Sequence, residues 1–320
     1  MTHCELSLGF DIGGTKIHGL VLDRDDSVLA EAVRPTRQGA ASIQAIVTET
    51  AHALAAELGT DVSRFASVGV GIPGIVDQRT GLVETAVNLG ISSTNLSDLF
   101  ADGFTVPVRV ENDVKATALG AGLVLGARVA DLSYVNLGTG LATAAVSNGR
   151  LVRGARNGAG EIGHLAIDPT GDQCGCGQRG CIETIVGGRY LTPRLEALGL
   201  DLGGLGDATG AAAAAERDRL VGGLATALTL VVIAYDSAQV VLGGGIFRAT
   251  DWLVPAVAEE LRKRARSSSF LAGLRCDDRL VVLPDGVPVA AIGAAVVGRK
   301  KGLRTTRPGR PDPLLMRSSS

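Results

Sequence analysis

Residues 160–188 read GEIGHLAIDPTGDQCGCGQRGCIETIVGG, which puts His164, Cys174, Cys176, Cys181, Glu161 and Glu183 in one short stretch. Thiolates and imidazoles bind soft metal ions, whereas carboxylates hold hydroxyl groups and accept protons. The stretch therefore supports a metal site, a catalytic site, or the two combined. The chain has five cysteines, an odd number, and three of them fall between positions 174 and 181. That clustering favours metal over a disulfide framework.

Two glycine turns, DIGGT from Asp11 and LGTG from Leu137, suit phosphate, because glycine lets backbone N–H groups approach oxygen anions closely. Thr15 and Thr139 each add a hydroxyl, and Asp11 suits Mg²⁺ or its water shell. Neither turn matches GxxxxGK[ST] or GxGxxG. Together with Gly243, Gly244 and Gly245 at the end of an apolar run, they suggest a nucleotide site assembled from several turns. Asp113, in VRVENDVKATALGAG, stands where an extended stretch meets a helix. An acid there can cap the helix, and it can also be the base that takes a proton from an attacking hydroxyl. Position alone leaves both open.

The elements that must carry these residues follow from apolar spacing. LSLGF (6–10), IHGLVLD (17–23) and SVLAEAVRP (27–35) read as strands of an antiparallel meander. Ile43, Ile46, Val47, Ala51, Leu54, Ala55 and Leu58 recur at helical spacing up to Gly59. A strand at 66–72, an extended stretch at 106–113 and a helix from Val114 to about Gly126 come next. The segment 133–148 then repeats 8–23 at an offset of 125 residues, Asn136 against Asp11 and Gly138 against Gly13. This internal repeat implies two similar α/β lobes that face each other across a cleft with their glycine turns pointing inward. A strand at 239–247, a helix at about 252–266 and a disordered Pro- and Arg-rich tail at 303–320 complete the reading.

The balance of 31 Lys and Arg against 33 Asp and Glu gives no basic bias toward nucleic acid. Apolar runs such as LATALTLVVIA (224–234) fall short of the roughly 20 residues that a membrane span needs. No secretory signal opens the sequence, and the expectation is a soluble cytoplasmic protein.

With DIGGTK (11–16), GIPGIVD (71–77), END (111–113), LGTG (137–140), GEIGH (160–164), CGCGQRGCIE (174–183) and VLGGGI (241–246), the chain resembles the ROK family (repressor, open reading frame, kinase) of the actin/hexokinase-like superfamily. The resemblance implies two hexokinase-like lobes around a central cleft. They would comprise a small lobe over 1–114 and a larger one over 115–300, whose last helix packs back on the small lobe. It further implies an ATP- and Mg²⁺-dependent sugar kinase, often a glucokinase and often a homodimer, that acts on a sugar's 6-hydroxyl. On that resemblance Asp113 is the general base, and Asn88, Asn112, Glu161, His164 and Glu183 bind the sugar. Asp11, Gly13, Gly14, Thr15, Lys16, Gly138 and Thr139 hold phosphates, and Gly243, Gly244 and Gly245 lie beside the adenosine. His164, Cys174, Cys176 and Cys181 form a closed structural zinc site, and the zinc orients a sugar-binding imidazole.

Lys115, Ala121, Ala142 and Gly187 depart from the family's usual residues. The departures weaken the step from sugar kinase to housekeeping glucokinase. An amino-sugar kinase of antibiotic pathways, such as one acting on kanosamine, or a cyclitol kinase is the alternative, and polyphosphate an alternative donor. A sugar-responsive repressor is less favoured, because DIGGTK begins at residue 11 and leaves no room before it for a winged helix.

Overall fold

The computed structural model describes residues 5–126 and 131–299. The tail expected at 303–320 lies outside the described residues, as do His3 and Cys4. The chain opens with the meander its apolar runs predict. Strands β1 (Leu6–Ile12), β2 (Lys16–Leu22) and β3 (Val28–Pro35) pair antiparallel in order. Along β1, Leu8, Phe10 and Ile12 enter a core that helix α1 (Ala40–Glu57) completes with Ile43, Val47, Ala51 and Leu54. Those four helical positions lie on one face because their spacing follows the 3.6-residue period. Strands β4 (Phe65–Ile72) and β8 (Val108–Asn112) add in parallel, giving the order β3-β2-β1-β4-β8. Between them lies a small antiparallel sheet of β5 (Val76–Asp77), β6 (Leu82–Ala86) and β7 (Ile91–Asn95), followed by the short helix α2 (Leu96–Leu99).

Helix α3 (Asp113–Val124) leaves β8 and leads to a second sheet. Strands β9 (Leu132–Leu137), β10 (Leu141–Ser147) and β11 (Arg150–Leu151) form its antiparallel ribbon. Helices α4 (Ile182–Val186), α5 (Gly188–Ala197), α6 (Leu202–Leu205) and α7 (Ala211–Tyr235) precede β12 (Gln239–Gly243). Helices α8 (Gly245–Arg248), α9 (Leu253–Arg266) and α10 (Ser269–Leu274), strand β13 (Leu280–Val282) and helix α11 (Val289–Gly298) close the described chain. The order β11-β10-β9-β12-β13, with β12 and β13 parallel to β9, repeats the first sheet strand for strand. The 125-residue offset between Asp11 and Asn136 carries β2 onto β10 from end to end.

The two sheets are joined through two helices that pack on each other. Helix α3 lies against β9 and β10, and α11 against β1 and β4. Small residues on the strands allow this. A methyl group at Gly69 of β4 would strike the Ala294 carbonyl, and one at Gly9 of β1 the Ala291 carbonyl. Helix α7 corrects one expectation. Its apolar run belongs to a single 25-residue helix, which by length and composition could cross a bilayer. In the fold Leu220, Leu224, Leu228 and Val231 of that helix are fully buried, packed in a core with Val240, Leu242, Leu253 and Val257.

Candidate functional site

The first glycine turn joins β1 to β2. Gly13 donates its N–H to the Lys16 carbonyl at 2.9 Å, and Thr36 Oγ1 donates to the Gly13 carbonyl at 2.7 Å. Gly14, Thr15 and Lys16 are left exposed. Asn88 comes to this turn from the far end of β6, its Cβ 3.4 Å from where a side chain on Gly14 would begin. The second turn joins β9 to β10 in the same way, with Gly138 N–H on the Gly140 carbonyl at 3.0 Å. The N–H groups of Gly188 and Arg189 brace it by donating to the carbonyls of Gly138 and Thr139, both at 2.9 Å. Ala142 lies outside the turn, on β10 opposite Asn136. The third turn adjoins the second. Gly244, at φ 99°, lies so close to the backbone of Leu137 that any side chain would collide with it. Gly243 differs from its neighbours, because it ends β12 beneath the Tyr134 ring while Gly244 and Gly245 reach the turn.

Asp113 is the first residue of α3, and its neighbour is the cap. Asn112 Oδ1 accepts the Lys115 N–H at 3.1 Å, so the reading of Asp113 as an N-cap is corrected. Asn112 Nδ2 donates to Asp113 Oδ1 at 3.0 Å and to the Gly74 carbonyl at 3.1 Å, and Val114 N–H donates to Asp113 Oδ1 at 2.9 Å. Burial raises the Asp113 pKa, the N–H donors pull it down, and the charge of Glu161 raises it further. Asp11 is pushed up to about 7, first by burial and then by the nearby charge of Asp113, with Lys16 opposing. Thus the end of β1 and the start of α3 bring the carboxyls of Asp11 and Asp113 close enough for one charge to act on the other. Glu111, one residue before Asn112, is buried and paired with Arg153 Nε at 2.7 Å. Spacing alone hid this pair, since its members are 42 residues apart.

The cysteine loop closes on itself. Cys174 N–H donates to the Gln178 carbonyl at 2.8 Å, and Gln178 Nε2 donates to the His164 carbonyl at 3.0 Å. His164 Nδ1 lies 3.6 Å from Cys174 Sγ, and Cys176 Sγ lies 3.7 Å from Cys181 Sγ. All four ligand atoms fall within 4.8 Å of one another. A tetrahedral zinc with bonds of about 2.3 Å to sulfur and about 2.0 Å to nitrogen has edges of about 3.8 Å between sulfurs and about 3.5 Å from sulfur to nitrogen. The donor set therefore fits zinc in both chemistry and size. Gln178 donors draw the exposed Cys176 thiol down, while burial and the neighbouring sulfurs push Cys181 up. With Nδ1 facing the sulfurs, Nε2 of His164 is the nitrogen left for another partner. Glu183, in the first turn of α4, places Oε2 3.1 Å from Leu141 N at the second glycine turn.

Two features went unseen in the sequence. Tyr134 is buried, and Asp11, Asp113 and Arg248 all act on its hydroxyl. A cavity of about 240 Å³ opens beside the third turn between Leu191, Leu195, Leu202 and Ile246, with Glu196 and Asp201 at its polar edge. No periodic pattern links α5, α6 and α8, so only the tertiary fold collects them.

The ROK family model matches residues 7–296. A glucokinase of Halalkalibacterium halodurans is 30% identical over 286 residues, covering 81% of this chain and 86% of that protein. The xylose repressor of Bacillus subtilis is 28% identical over 59% of this chain, which spans half of that protein's length. Among solved structures, a ROK family glucokinase from Streptomyces griseus in complex with glucose and AMPPNP superposes with a TM-score of 0.72. That match has 28% identity and covers 92% of this chain and all of that one. The likeness bears out the expected α/β fold of two hexokinase-like lobes. With a family model spanning both five-stranded sheets and every glycine turn, the chain belongs to the ROK family.

Proposed function

We propose that this protein transfers the γ-phosphoryl group of ATP to the 6-hydroxyl of glucose or a close analogue. The observation that carries the reading is that Asp11, at the end of β1, and Asp113, just after β8, stand at one end of the same sheet on either side of Gly71. That glycine pairs with Asp11, and a Cβ on it would lie 3.7 Å from Asp113 Cα. Asp113, raised by burial, accepts the hydroxyl proton. The sugar oxygen bonds to the γ-phosphorus, the bond to the β-phosphate's bridging oxygen breaks, and ADP leaves. Thr15 and Thr139, with the N–H groups of Gly14 and Thr139, cradle the phosphates; Gly13 and Gly138 close the two turns by donating to the carbonyls of Lys16 and Gly140, and Lys16 supplies a cation beside them. Gly244 and Gly245 with the adjoining cavity hold the adenosine half. Asp11 would hold Mg²⁺, which would supply charge neutralisation on the phosphates.

Asn88, Asn112, Glu161, His164 and Glu183 bind and orient the sugar hydroxyls. His164, Cys174, Cys176 and Cys181 would hold zinc, which would supply a rigid staple; with Nδ1 turned to the sulfurs, Nε2 of His164 is left to face a hydroxyl. A boundary near Asp113 divides the chain into the two lobes.

A second reading, an amino-sugar substrate, is supported by the carboxyls of Asp113 and Glu161, which lie near enough for the charge of Glu161 to act on Asp113. Turnover with glucose, mannose, glucosamine, N-acetylmannosamine and 3-amino-3-deoxyglucose decides between them. Preference for the cationic sugars would favour the second. No turnover of any hexose by the intact protein would sink both readings and leave the repressor likeness to be tested by DNA binding.

A further inference from the structure

Lys115 stands in the first turn of α3, where the rest of the helix is built of small and apolar residues. It is 3% exposed, yet among the described residues no carboxylate bonds it directly. Its Nζ instead donates to the backbone carbonyl of Asn157 at 2.9 Å. Asn157, at φ 60°, lies at the apex of the segment that runs from β11 to Glu161 and the cysteine loop. That segment is pinned at its start by the Arg153–Glu111 pair. At its end Thr143 N–H and Oγ1 both donate to the Gly160 carbonyl at 2.9 Å. Among the described residues, Lys115 is the one side chain that hydrogen-bonds the apex, residues 154–158.

A buried ammonium is costly unless its surroundings favour the charge. Burial pulls the Lys115 pKa down, whereas the charges of Glu111, Glu161 and Asp113 push it back up and Arg153 opposes them. The cation therefore sits among the carboxylates of the proposed sugar site while its hydrogen bond points away from them, into the loop. Such a group cannot touch the reacting atoms, but it can fix the distance between the elements that do.

We propose that Lys115 is a positioning residue that clamps the 153–160 loop onto the first turn of α3 and thereby sets Glu161 against Asp113 before the sugar arrives. This rests on reading Glu161 and Asp113 as sugar contacts. The clamp is a property of this chain's own Lys115, since a small residue there would leave the Asn157 carbonyl without this donor.

The test uses two variants of the full-length protein. Lys115→Met removes charge and donor at nearly constant volume. Asn157→Pro forbids the positive φ and so turns the carbonyl away from Lys115 Nζ without changing a side chain of the core. Hydrogen exchange by mass spectrometry should quicken in peptides covering 153–161 in both variants, with the peptides of β1 and β9 unchanged. Sugar KM should rise about tenfold, the size of one lost contact to a charged group, while ATP KM stays within about twofold. Unchanged exchange in the loop, or equal rises in both KM values, would overturn the proposal. If Lys115→Met fails to fold, Asn157→Pro alone decides. If the wild type turns over no hexose, the sugar-kinase reading fails while the exchange data still report whether the clamp exists.

Discussion

Glu183 Oε2 accepts the backbone N–H of Leu141 at 3.1 Å, which ties the helix after the cysteine loop to the second glycine turn. The same carboxylate fills the space that a side chain on residue 140 would occupy, so a larger residue there would push Glu183 off this bond. Glu183→Ala leaves a part-buried N–H without its acceptor, a loss of about 1–3 kcal/mol. A lowered melting temperature in Glu183→Ala, with Glu183→Gln close to wild type in stability but raised in sugar KM, is the expected result. Equal sugar KM in wild type and Glu183→Gln would remove Glu183 from the sugar site.

Asp113→Asn keeps an acceptor for the N–H groups of Val114 and Asn112 and loses only basicity. Its kcat should fall by about 10² to 10⁴, the usual worth of a general base, with sugar affinity by calorimetry held within about threefold. A variant with near-normal kcat would show that the base lies elsewhere.

Asp11 is raised from 3.8 to about 7, so the folded protein keeps a proton that the unfolded chain releases. Stability linked to this group is fully present below about pH 4 and is lost as pH rises through about 7. Asp11→Asn cannot ionise. In the absence of divalent cations its melting temperature should exceed that of the wild type by a margin that widens from about pH 4 to about pH 7 and then levels. A margin independent of pH would mean that the Asp11 carboxyl is not held in its neutral form.

Cys181 is buried and Cys176 exposed, yet both should be needed for metal. Elemental analysis should find about one zinc per chain in the wild type and little in Cys176→Ser or Cys181→Ser. Chelation should raise sugar KM and leave ATP KM nearly unchanged, because the loop adjoins His164 and Glu183. Unaltered sugar affinity in metal-depleted protein would separate the cysteine loop from the sugar.

Gly69→Ala drives a methyl group into the Ala294 carbonyl of α11. Overpacking of this kind costs about 1–3 kcal/mol, and a lowered denaturation midpoint would register it. An unchanged midpoint would mean that α11 can lift from β4 without loss.

What the sequence determined by itself was local. Alternation and helical spacing placed β1, β2, β3, α1, β4 and α3 within a few residues of their observed ends. The repeat of Gly and Thr at a 125-residue offset foreshadowed two sheets of one topology. Glycines and cysteines carried their chemistry in their types, so the turns and the His164–Cys174–Cys176–Cys181 cluster could be read from spacing within a short segment. The strands β5, β6 and β7 could not, being too short for any period to show. Nor could the packing of α11 against β1, the Arg153–Glu111 pair, the Lys115 bond to Asn157 or the place of Tyr134. Each of these joins residues from different elements, and which partners meet is decided by how whole sheets and helices pack. The cap at the start of α3 was decided the same way. Backbone direction at the end of β8 gives the cap to Asn112 and leaves the Asp113 carboxylate beside Asp11.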